Sequence, residues 1–245
     1  MAGTHRGPVG GVGGDGDVVS DEPLLQATAL YKSFGATQAL RGASIEVHAG
    51  EIVAVVGPSG SGKSTLLHCL AGILDPDSGT VRYRGRDLDS LSDKHRSALR
   101  RTEFGFVFQF GQLVPELTCV ENVAMPLRLS GVRRRTAEAR ALEMMTRLQV
   151  DDVADSRPGD VSGGQGQRVA VARALVTGPR VVFADEPTGA LDSLNGERVL
   201  RLLVETSRAS DTAVVLVTHE ARVAAYSHRE VVVRDGRTDP LGVPA

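Results

Sequence analysis

The stretch GPSGSGKST, residues 57–65, limits the possible folds of this chain more than any other stretch does. The apolar run Ile52–Val56 lies directly before it. The stretch fits the pattern G-x-x-x-x-G-K-[ST]. Glycines let the backbone curl until several N–H groups face one anion, and the helix predicted to follow directs its positive end at the same point. A chance match in a glycine-rich chain is the alternative. The strand before the loop and the amphipathic pattern after it argue against chance.

The chemistry of this loop assigns candidate roles to its side chains. We expect Lys63 to bring a mobile positive charge to the β- and γ-phosphates of a nucleotide, and the Ser64 hydroxyl to ligate Mg²⁺. The loop therefore predicts a nucleotide site. Its predicted residues are Gly57, Pro58, Ser59, Gly60, Ser61, Gly62, Lys63, Ser64 and Thr65.

Composition limits the classes of protein that fit. The 245 residues are 41% hydrophobic, enough for one sizeable core. The formal net charge is −2, so we expect no nucleic-acid partner. Cys69 and Cys119 form no CxxC pair, and no apolar run approaches the roughly 18 residues of a spanning helix. Any action at a membrane would therefore need another chain to supply the membrane part.

Apolar periodicity divides the chain into segments. Residues 1–22 are glycine-rich and lack the apolar core of a signal peptide, so we expect a flexible tail before a domain over 23–240. Apolar runs at 181–184 and 213–217 alternate with helical patterns, which predicts a parallel α/β sheet. Residues from about 110 to 165 carry apolar residues at helical spacing among charges, which predicts a helical subdomain.

A second apolar run leads into acidic residues, in VVFADEPTGALD over 181–192. Asp185 falls at the predicted carboxyl end of a strand, where α/β sheets place ligand chemistry, and it suits a Mg²⁺ shell through water. Glu186 projects differently and can polarise an attacking water as the catalytic base. The alternative is a glutamate that merely ends a strand.

The run AVVLVTHE over 213–220 repeats this arrangement. His219 follows the apolar residues, where a histidine can contact a γ-phosphate and hold the water and Glu186 in place. A lone histidine is more often structural, and that is the alternative. Because we expect this run to be a third strand of the same sheet, the functional interpretation is favoured.

A second phosphate-binding feature is predicted in VSGGQGQR, residues 161–168. Ser162 is a natural helix N-cap, Gly163 and Gly164 let a phosphate approach the backbone, and the helix that follows points its positive end outward. The chain already has a loop for its own nucleotide, so this segment needs another explanation. Gly166, in the first helical turn, should cost up to about 1 kcal/mol of local stability.

Together these residues resemble the nucleotide-binding subunit of ABC transporters over about residues 24–237. Residues 57–65 look like the Walker A motif, VVFADEP like Walker B, ALD with Asp192 like the D-loop, and His219 like the switch histidine. Gln109, in FGFVFQFGQLVPELTCVENV, matches the Q-loop glutamine, which in the family contacts Mg²⁺ and senses the membrane partner. Tyr31, in LYKSFG, matches the aromatic that stacks on adenine, although an ordinary strand aromatic is the alternative.

VSGGQGQR is similar to the family's signature motif, usually LSGGQ, through Ser162, Gly163, Gly164 and Gln165. In the family this motif caps the γ-phosphate bound by the opposite subunit. The chain has one copy of each motif and no internal repeat. The resemblance therefore implies that two chains pair head to tail around two ATP molecules, as a homodimer or a heterodimer.

The resemblance also implies a fold and a setting. The fold is an α/β P-loop NTPase with a parallel core sheet, a small antiparallel β subdomain and a helical subdomain. The activity is ATP hydrolysis with Mg²⁺, which drives a separate integral membrane permease from the cytoplasmic face of the cell membrane. FVFQFGQLVPELTCVENVAMPL, GALDSLNGERVL and VTHEARVAAYSHREVVVRDGR look like the branch with lipoprotein-release, macrolide-export and cell-division ATPases, of export or mechanotransmission type.

Three other functions share some of these motifs. One is an ATPase that drives a membrane protein to activate a cell-wall enzyme and moves no solute. Another is a soluble ABC ATPase of DNA repair or translation, which usually has two cassettes or a long coiled coil with sustained heptads, unlike this chain. A small-molecule kinase would share the phosphate loop, but not SGGQ together with DEPTGALD.

Overall fold

The apolar runs predicted as parallel strands, at residues 52–56, 181–184 and 213–217, form strands in the structure, and a helix follows each of them. The computed structural model describes residues 22–239 and 243–244, so the tail predicted over 1–22 lies outside the described residues except for Glu22. The described strands are β1 (Leu25–Phe34), β2 (Thr37–Val47), β3 (Ile52–Val56), β4 (Ser78–Tyr83), β5 (Arg86–Asp87), β6 (Phe104–Phe108), β7 (Val181–Asp185), β8 (Ala213–Thr218), β9 (Arg229–Arg234), β10 (Arg237–Thr238) and β11 (Val243–Pro244). The described helices are α1 (Lys63–Leu70), α2 (Asp93–Thr102), α3 (Cys119–Leu129), α4 (Arg134–Arg147), α5 (Gly163–Leu175), α6 (Ser193–Ala209) and α7 (Ala221–Ala224), with 3-10 turns at Asp151–Val153 and Pro158–Asp160.

The larger sheet confirms the predicted parallel core. Its strand order is β10-β9-β3-β8-β7-β6, with β11 beside β9, and the pairs from β9 to β6 are parallel. Strand β8 is buried along its whole length. A strand between two parallel neighbours is covered on both faces, which explains its uninterrupted apolar sequence. The carboxyl ends of β3, β6, β7 and β8 consequently meet at one edge of the sheet.

A second sheet is antiparallel, as the resemblance implies. Its order is β2-β1-β4-β5, and β1 pairs with both β2 and β4. Apolar side chains alternate along β1, where Leu25, Ala27 and Leu30 are buried. They share one core cluster with Leu66 and Leu70 of α1. This sheet therefore packs against the helix that follows the phosphate loop.

Helices α3 and α4 lie inside the segment predicted to be helical, about 110–165. Ala141, Met145 and Leu148 are fully buried, while Leu142 is 45% exposed. The buried residues share a core cluster with Val169 of α5. The pair of helices therefore packs on the helix that begins in the VSGGQGQR segment. The limits of a separate helical subdomain, and of the domain over 23–240, stay predictions.

The turn between β9 and β10 supports the phosphate loop. The N–H of Gly236 donates to the carbonyl oxygen of Ser61 at 2.9 Å, and the N–H of Arg41 donates to the carbonyl oxygen of Gly236 at 2.7 Å. A Cβ on Gly236 would lie 2.7 Å from the carbonyl oxygen of Ala39. Glycine at this turn thus connects the loop to β2 through backbone hydrogen bonds.

Candidate functional site

Residues 57–62 link β3 to α1, and glycine is required at both ends of this loop. A Cβ on Gly57 would lie 2.2 Å from the carbonyl oxygen of Val233, and a Cβ on Gly62 would lie 2.4 Å from that of Ala39. Gly62 also has a φ of 105°, which L side chains rarely adopt. The loop backbone therefore packs directly against β9 and β2, where a side chain would not fit.

Lys63 points into the curl of the loop. Its ammonium donates hydrogen bonds of 2.9 Å to the carbonyl oxygens of Gly57 and Pro58, and the residue is only 7% exposed. The buried hydroxyl of Ser61 has no hydrogen-bond partner among the described residues. A buried ammonium and a buried hydroxyl inside one loop fit the phosphates of a nucleotide, because an anion satisfies both groups. The other predicted loop residues are exposed or partly buried, namely Pro58, Ser59, Gly60, Ser64 and Thr65.

Ser64 and Asp185 connect the loop to the end of β7. The Ser64 hydroxyl donates to Asp185 Oδ1 at 3.1 Å. These oxygens suit Mg²⁺, which prefers oxygen ligands and keeps several waters. Within residues 22–239 and 243–244, no three His, Cys, Asp or Glu side chains are grouped to hold a metal. The Ser64 and Asp185 oxygens fit an ion that takes its other ligands from water and phosphate.

Glu186 and His219 form a hydrogen-bonded pair at the same sheet edge. Glu186 follows β7 and His219 follows β8, and Glu186 Oε1 lies 2.9 Å from His219 Nδ1. Glu186 adopts an unusual φ of 48°, and its N–H donates to the carbonyl oxygen of Val217 at 3.0 Å. The carboxylate is 19% exposed and the imidazole 57% exposed. The pair is therefore accessible to a water or phosphate at the end of the loop.

Gln109 lies beside the segment that follows Glu186 in the chain. It follows β6, whose last residue Phe108 is in register with Asp185 on β7. A Cβ on Gly189 would lie 2.9 Å from Gln109 Nε2, so the amide packs against that glycine. The structure thus brings the glutamine to the edge that carries Asp185 and Glu186.

Tyr31 lies on the antiparallel sheet. Its side chain is 47% exposed, and its hydroxyl oxygen would lie 3.2 Å from a Cβ on Gly42 of the neighbouring strand. The carbonyl oxygen of Tyr31 accepts from the N–H of Asp77 at 2.8 Å. These contacts are with the neighbouring strand and with the residue just before β4, so adenine stacking stays a prediction.

The signature segment begins α5 with reciprocal hydrogen bonds. Ser162 Oγ accepts from the N–H of Gln165 at 3.3 Å, and Gln165 Oε1 accepts from the N–H of Ser162 at 3.0 Å. Ser162 is thus the N-cap, as the sequence predicts. Ser162 and Gly163 are exposed, whereas Gly164 is buried against Asn195 of α6. The helix start is therefore open to an external ligand.

This helix start and the phosphate loop belong to different parts of the sheet. Helix α5 packs against β6, the last strand of the parallel core, while the loop follows β3. Strands β8 and β7 separate β3 from β6. At roughly 4.8 Å between neighbouring strands, β3 and β6 are about 14 Å apart. The two predicted phosphate-binding features therefore lie at separate places in the fold.

Asp192 caps α6. Its Oδ1 accepts from the N–H groups of Leu194 at 3.1 Å and Asn195 at 3.0 Å, and its Oδ2 accepts from Asn195 Nδ2 at 2.6 Å. The hydrogen bonds from the Asn195 backbone and side chain lower the pKa of the Asp192 carboxyl. The carboxylate thus stays ionised and fixes the start of α6 beside the signature segment.

The sequence patterns do not single out Gln167, which is buried on α5. It donates to backbone carbonyls at the ends of β6 and β7. Gln167 lies three residues after Gly164 and four before Val171, both buried. That helical spacing is the one sequence signal for an amide on the packed face.

The fold and these strand-end residues define a P-loop NTPase of the ATP-binding cassette class. A family model described as ABC transporter matches residues 40–189. The chain belongs to this family. Within the ranges that the structure describes, no helix has both the length and the apolar character to cross a bilayer.

Known proteins resemble the chain over most of its length. The lipoprotein-releasing system ATP-binding protein LolD 2 of Caulobacter vibrioides is 43% identical, and the match covers 89% of this chain and 97% of that protein. Two dimeric structures of the cassette MJ0796, one in a post-hydrolysis state with ADP and Pi, are 35% identical, with TM-scores of 0.82 and 0.83. Both matches cover 90% of this chain and 98% of the other. The structure of cbiO1 from Clostridium perfringens is 29% identical, covers 91% and 89% of the two chains, and has a TM-score of 0.81.

These similarities confirm the predicted family, fold and activity. The chain is the ATP-binding subunit of an ABC transporter, and it is an ATPase. The similarity to LolD 2 agrees with the lipoprotein-release, macrolide-export and cell-division branch.

Proposed function

We propose that two copies of this chain close head to tail around two ATP molecules and drive a separate membrane permease. The observation that carries the proposal is the exposed, capped start of α5 at Ser162 and Gly163, which lies apart from the chain's own phosphate loop. An exposed helix start with its positive end directed outward suits the γ-phosphate held by a second copy. The dimeric structures of MJ0796 support this arrangement.

Within one chain, the phosphate loop would hold the nucleotide. Lys63 contacts the β- and γ-phosphates, and the adenine stacks on Tyr31. Ser64, Asp185 and Gln109 would hold Mg²⁺, which neutralises charge on the phosphates when bound. The Ser64–Asp185 hydrogen bond of 3.1 Å supports the first two of these ligands.

Hydrolysis would depend on the pair at the end of β7 and β8. Glu186 accepts a proton from the attacking water, and His219 holds the carboxylate through its Nδ1. The 2.9 Å contact between the two side chains supports this assignment. In the partner's half of the site, Ser162, Gly163, Gly164 and Gln165 contact the γ-phosphate, and Asp192 holds α6 against them.

Binding to the permease would place the chain at the cytoplasmic face of the membrane. The permease would be of the export or mechanotransmission type. LolD 2 is named as part of a lipoprotein-releasing system, and cbiO1 is described as part of a transporter complex. Both descriptions support a membrane partner. Purification of the chain with a co-expressed permease, followed by comparison of its ATPase rate with and without that partner, tests the coupling.

The variant Glu186→Gln tests the catalytic part. Glutamine keeps the shape of the side chain but cannot accept the proton, so ATP should bind, turnover should stop, and a dimer should accumulate. Light scattering after size exclusion should give twice the monomer mass with ATP and the monomer mass with ADP. Glu197→Gln, at an exposed position on α6, is the control and should turn over normally. Wild-type hydrolysis by Glu186→Gln would show that another group is the base.

The variant Ser162→Arg tests action between chains. A long cation at the start of α5 should block closure and abolish turnover, while ATP binding by the monomer stays near normal. Ser210→Arg adds the same charge at an exposed position at the far end of α6 and should leave both properties unchanged. Loss of ATP binding in the Ser162→Arg monomer would contradict a contribution from the second chain.

A further inference from the structure

Gln167 joins three parts of the molecule through one amide. The residue is 3% exposed. Its Nε2 donates to the carbonyl oxygen of Phe108 and to that of Pro187, both at 2.8 Å. Both N–H groups of the amide are therefore used, and α5 is held to the last residue of β6 and to the segment that follows β7.

The two acceptor carbonyls are next to candidate catalytic residues. Phe108 precedes Gln109, and Pro187 follows Glu186. Phe108 is also in register with Asp185 across the two strands. A displacement of the Gln167 amide would thus move both strand ends that carry the predicted metal ligands and base.

A second side chain of α5 fixes the remainder of the Gln109 loop. Arg173 donates to the carbonyl oxygens of Gly111 at 2.6 Å and Gln112 at 2.8 Å. The N–H of Gly111 donates to the Phe108 carbonyl oxygen at 3.0 Å, and a Cβ on Gly111 would lie 3.3 Å from Gln167 Oε1. Residues 108–112 are therefore attached to α5 at both ends, so the segment should move with that helix.

We propose that Gln167 is a positioning residue that aligns Gln109 and Glu186 when the start of α5 engages the nucleotide of the second chain. The inference rests on the proposed two-chain site. Its physical basis is the cost of leaving buried donors and carbonyls without partners. Because breaking both hydrogen bonds would leave buried polar groups without partners, a tilt of α5 should carry both segments with it, so engagement of the helix would reach Gln109 and Glu186.

Replacement of Gln167 by Met or Glu tests this role. Methionine keeps the length and removes the donors, and glutamate keeps the shape but places a carboxylate against two carbonyl oxygens. We expect both variants to lower kcat by about tenfold or more, because small misplacements of reacting groups are costly. The KM for ATP should stay within about twofold, because the phosphate loop is unchanged.

Thr212→Val is the matched control. Thr212 Oγ1 donates to the carbonyl oxygen of Pro179 at 2.9 Å in a buried position, next to the start of β8 at the opposite edge of the sheet. Loss of the Thr212 hydroxyl should destabilise the protein, because it removes a buried hydrogen bond like those of Gln167. It should leave kcat unchanged. If Gln167→Met turns over like Thr212→Val in samples of equal folded fraction, Gln167 has only a structural role and the inference is wrong.

Hydrogen exchange and the dimer assay separate the remaining outcomes. Amides in residues 108–113 should exchange faster in Gln167→Met, and they should be unchanged in Thr212→Val. The double variant Gln167→Met with Glu186→Gln should still dimerise with ATP. If Glu186→Gln alone forms no dimer, the proposed function fails whatever Gln167 does. If it dimerises and exchange in residues 108–113 is unaffected by Gln167→Met, only the positioning role fails.

Discussion

The Lys63 ammonium is buried, and its hydrogen bonds go to carbonyl oxygens of its own loop. Carbonyl oxygens compensate a buried cation only partly, because they carry no full negative charge. The loop N–H groups and the start of α1 add further positive potential. The loop of the free protein therefore carries positive potential that the phosphates of a nucleotide can neutralise.

We expect Lys63→Ala to abolish ATP hydrolysis. Loss of the charge at the β- and γ-phosphates should lower turnover by at least about a hundredfold, as removal of one preorganised donor does elsewhere. Phosphate release measures the rate, and titration with a fluorescent ATP analogue measures binding. Lys94→Ala, which removes the same charge from an exposed position on α2, should match the wild type. Normal turnover by Lys63→Ala would exclude residues 57–65 as the nucleotide site.

The sequence predicts the neighbourhood of Glu186 and His219 but not its detail. Each residue follows an apolar run, and the carboxyl ends of parallel strands meet at one edge, so their proximity follows from the pattern. The φ of 48° at Glu186 does not follow, because nothing local favours that conformation for glutamate. It is held by the hydrogen bonds to Val217 and His219, which form only once β8 is in place.

At the scale of elements, α5 combines a strong start with a weak first turn. The Ser162–Gln165 capping box stabilises the start, whereas Gly166 lacks a side chain within the helix. A Cβ at position 166 would meet only Val161 Cγ2, at 3.8 Å, which is ordinary contact. Glycine is therefore not required there by crowding.

We expect Gly166→Ala to stabilise the protein by about 0.5–1 kcal/mol, because alanine loses less backbone entropy in a helix. Urea unfolding measures the change. Gly164→Ala is the contrasting variant, since its Cβ would lie 3.0 Å from Asn195 Oδ1 and should offset the entropic gain. No stabilisation by Gly166→Ala would show that backbone entropy does not limit α5, and equal stabilisation by both variants would show that the contact with Asn195 does not offset the entropic gain at position 164.

The pairing of elements is less predictable than the elements themselves. The apolar runs predict the parallel strands, because burial on both faces leaves a clear signature. Strand β1 pairs with β2 and with β4, which is farther along the sequence. No local sequence pattern predicts the pairing with β4. Likewise, the two carbonyls that Gln167 contacts come from segments about 59 and 20 residues away. Such contacts depend on the assembled core, so the sequence alone could not reveal them.

At the scale of the whole molecule, the two predicted phosphate-binding features lie beside different strands of one sheet, the loop after β3 and the start of α5 on the helix that packs against β6. We expect the ATPase rate per chain, measured without a permease, to fall as the protein is diluted below its dimer dissociation constant, because each site needs two chains. A dilution series over about three decades, with mass photometry in parallel, checks this. A constant rate per chain while only monomers are present would contradict the two-chain site.

The hydrogen bond between Gly236 and Ser61 has a consequence for synthesis of the chain. A ribosome releases the phosphate loop early, while the turn at Gly236 emerges only after most of the domain has been made. Until then the loop lacks the backbone donor that fixes Ser61, and β3 lacks β9 beside it. We therefore expect nucleotide to bind and stabilise the finished protein more strongly than the nascent chain, so the ligand should add little protection against aggregation during synthesis.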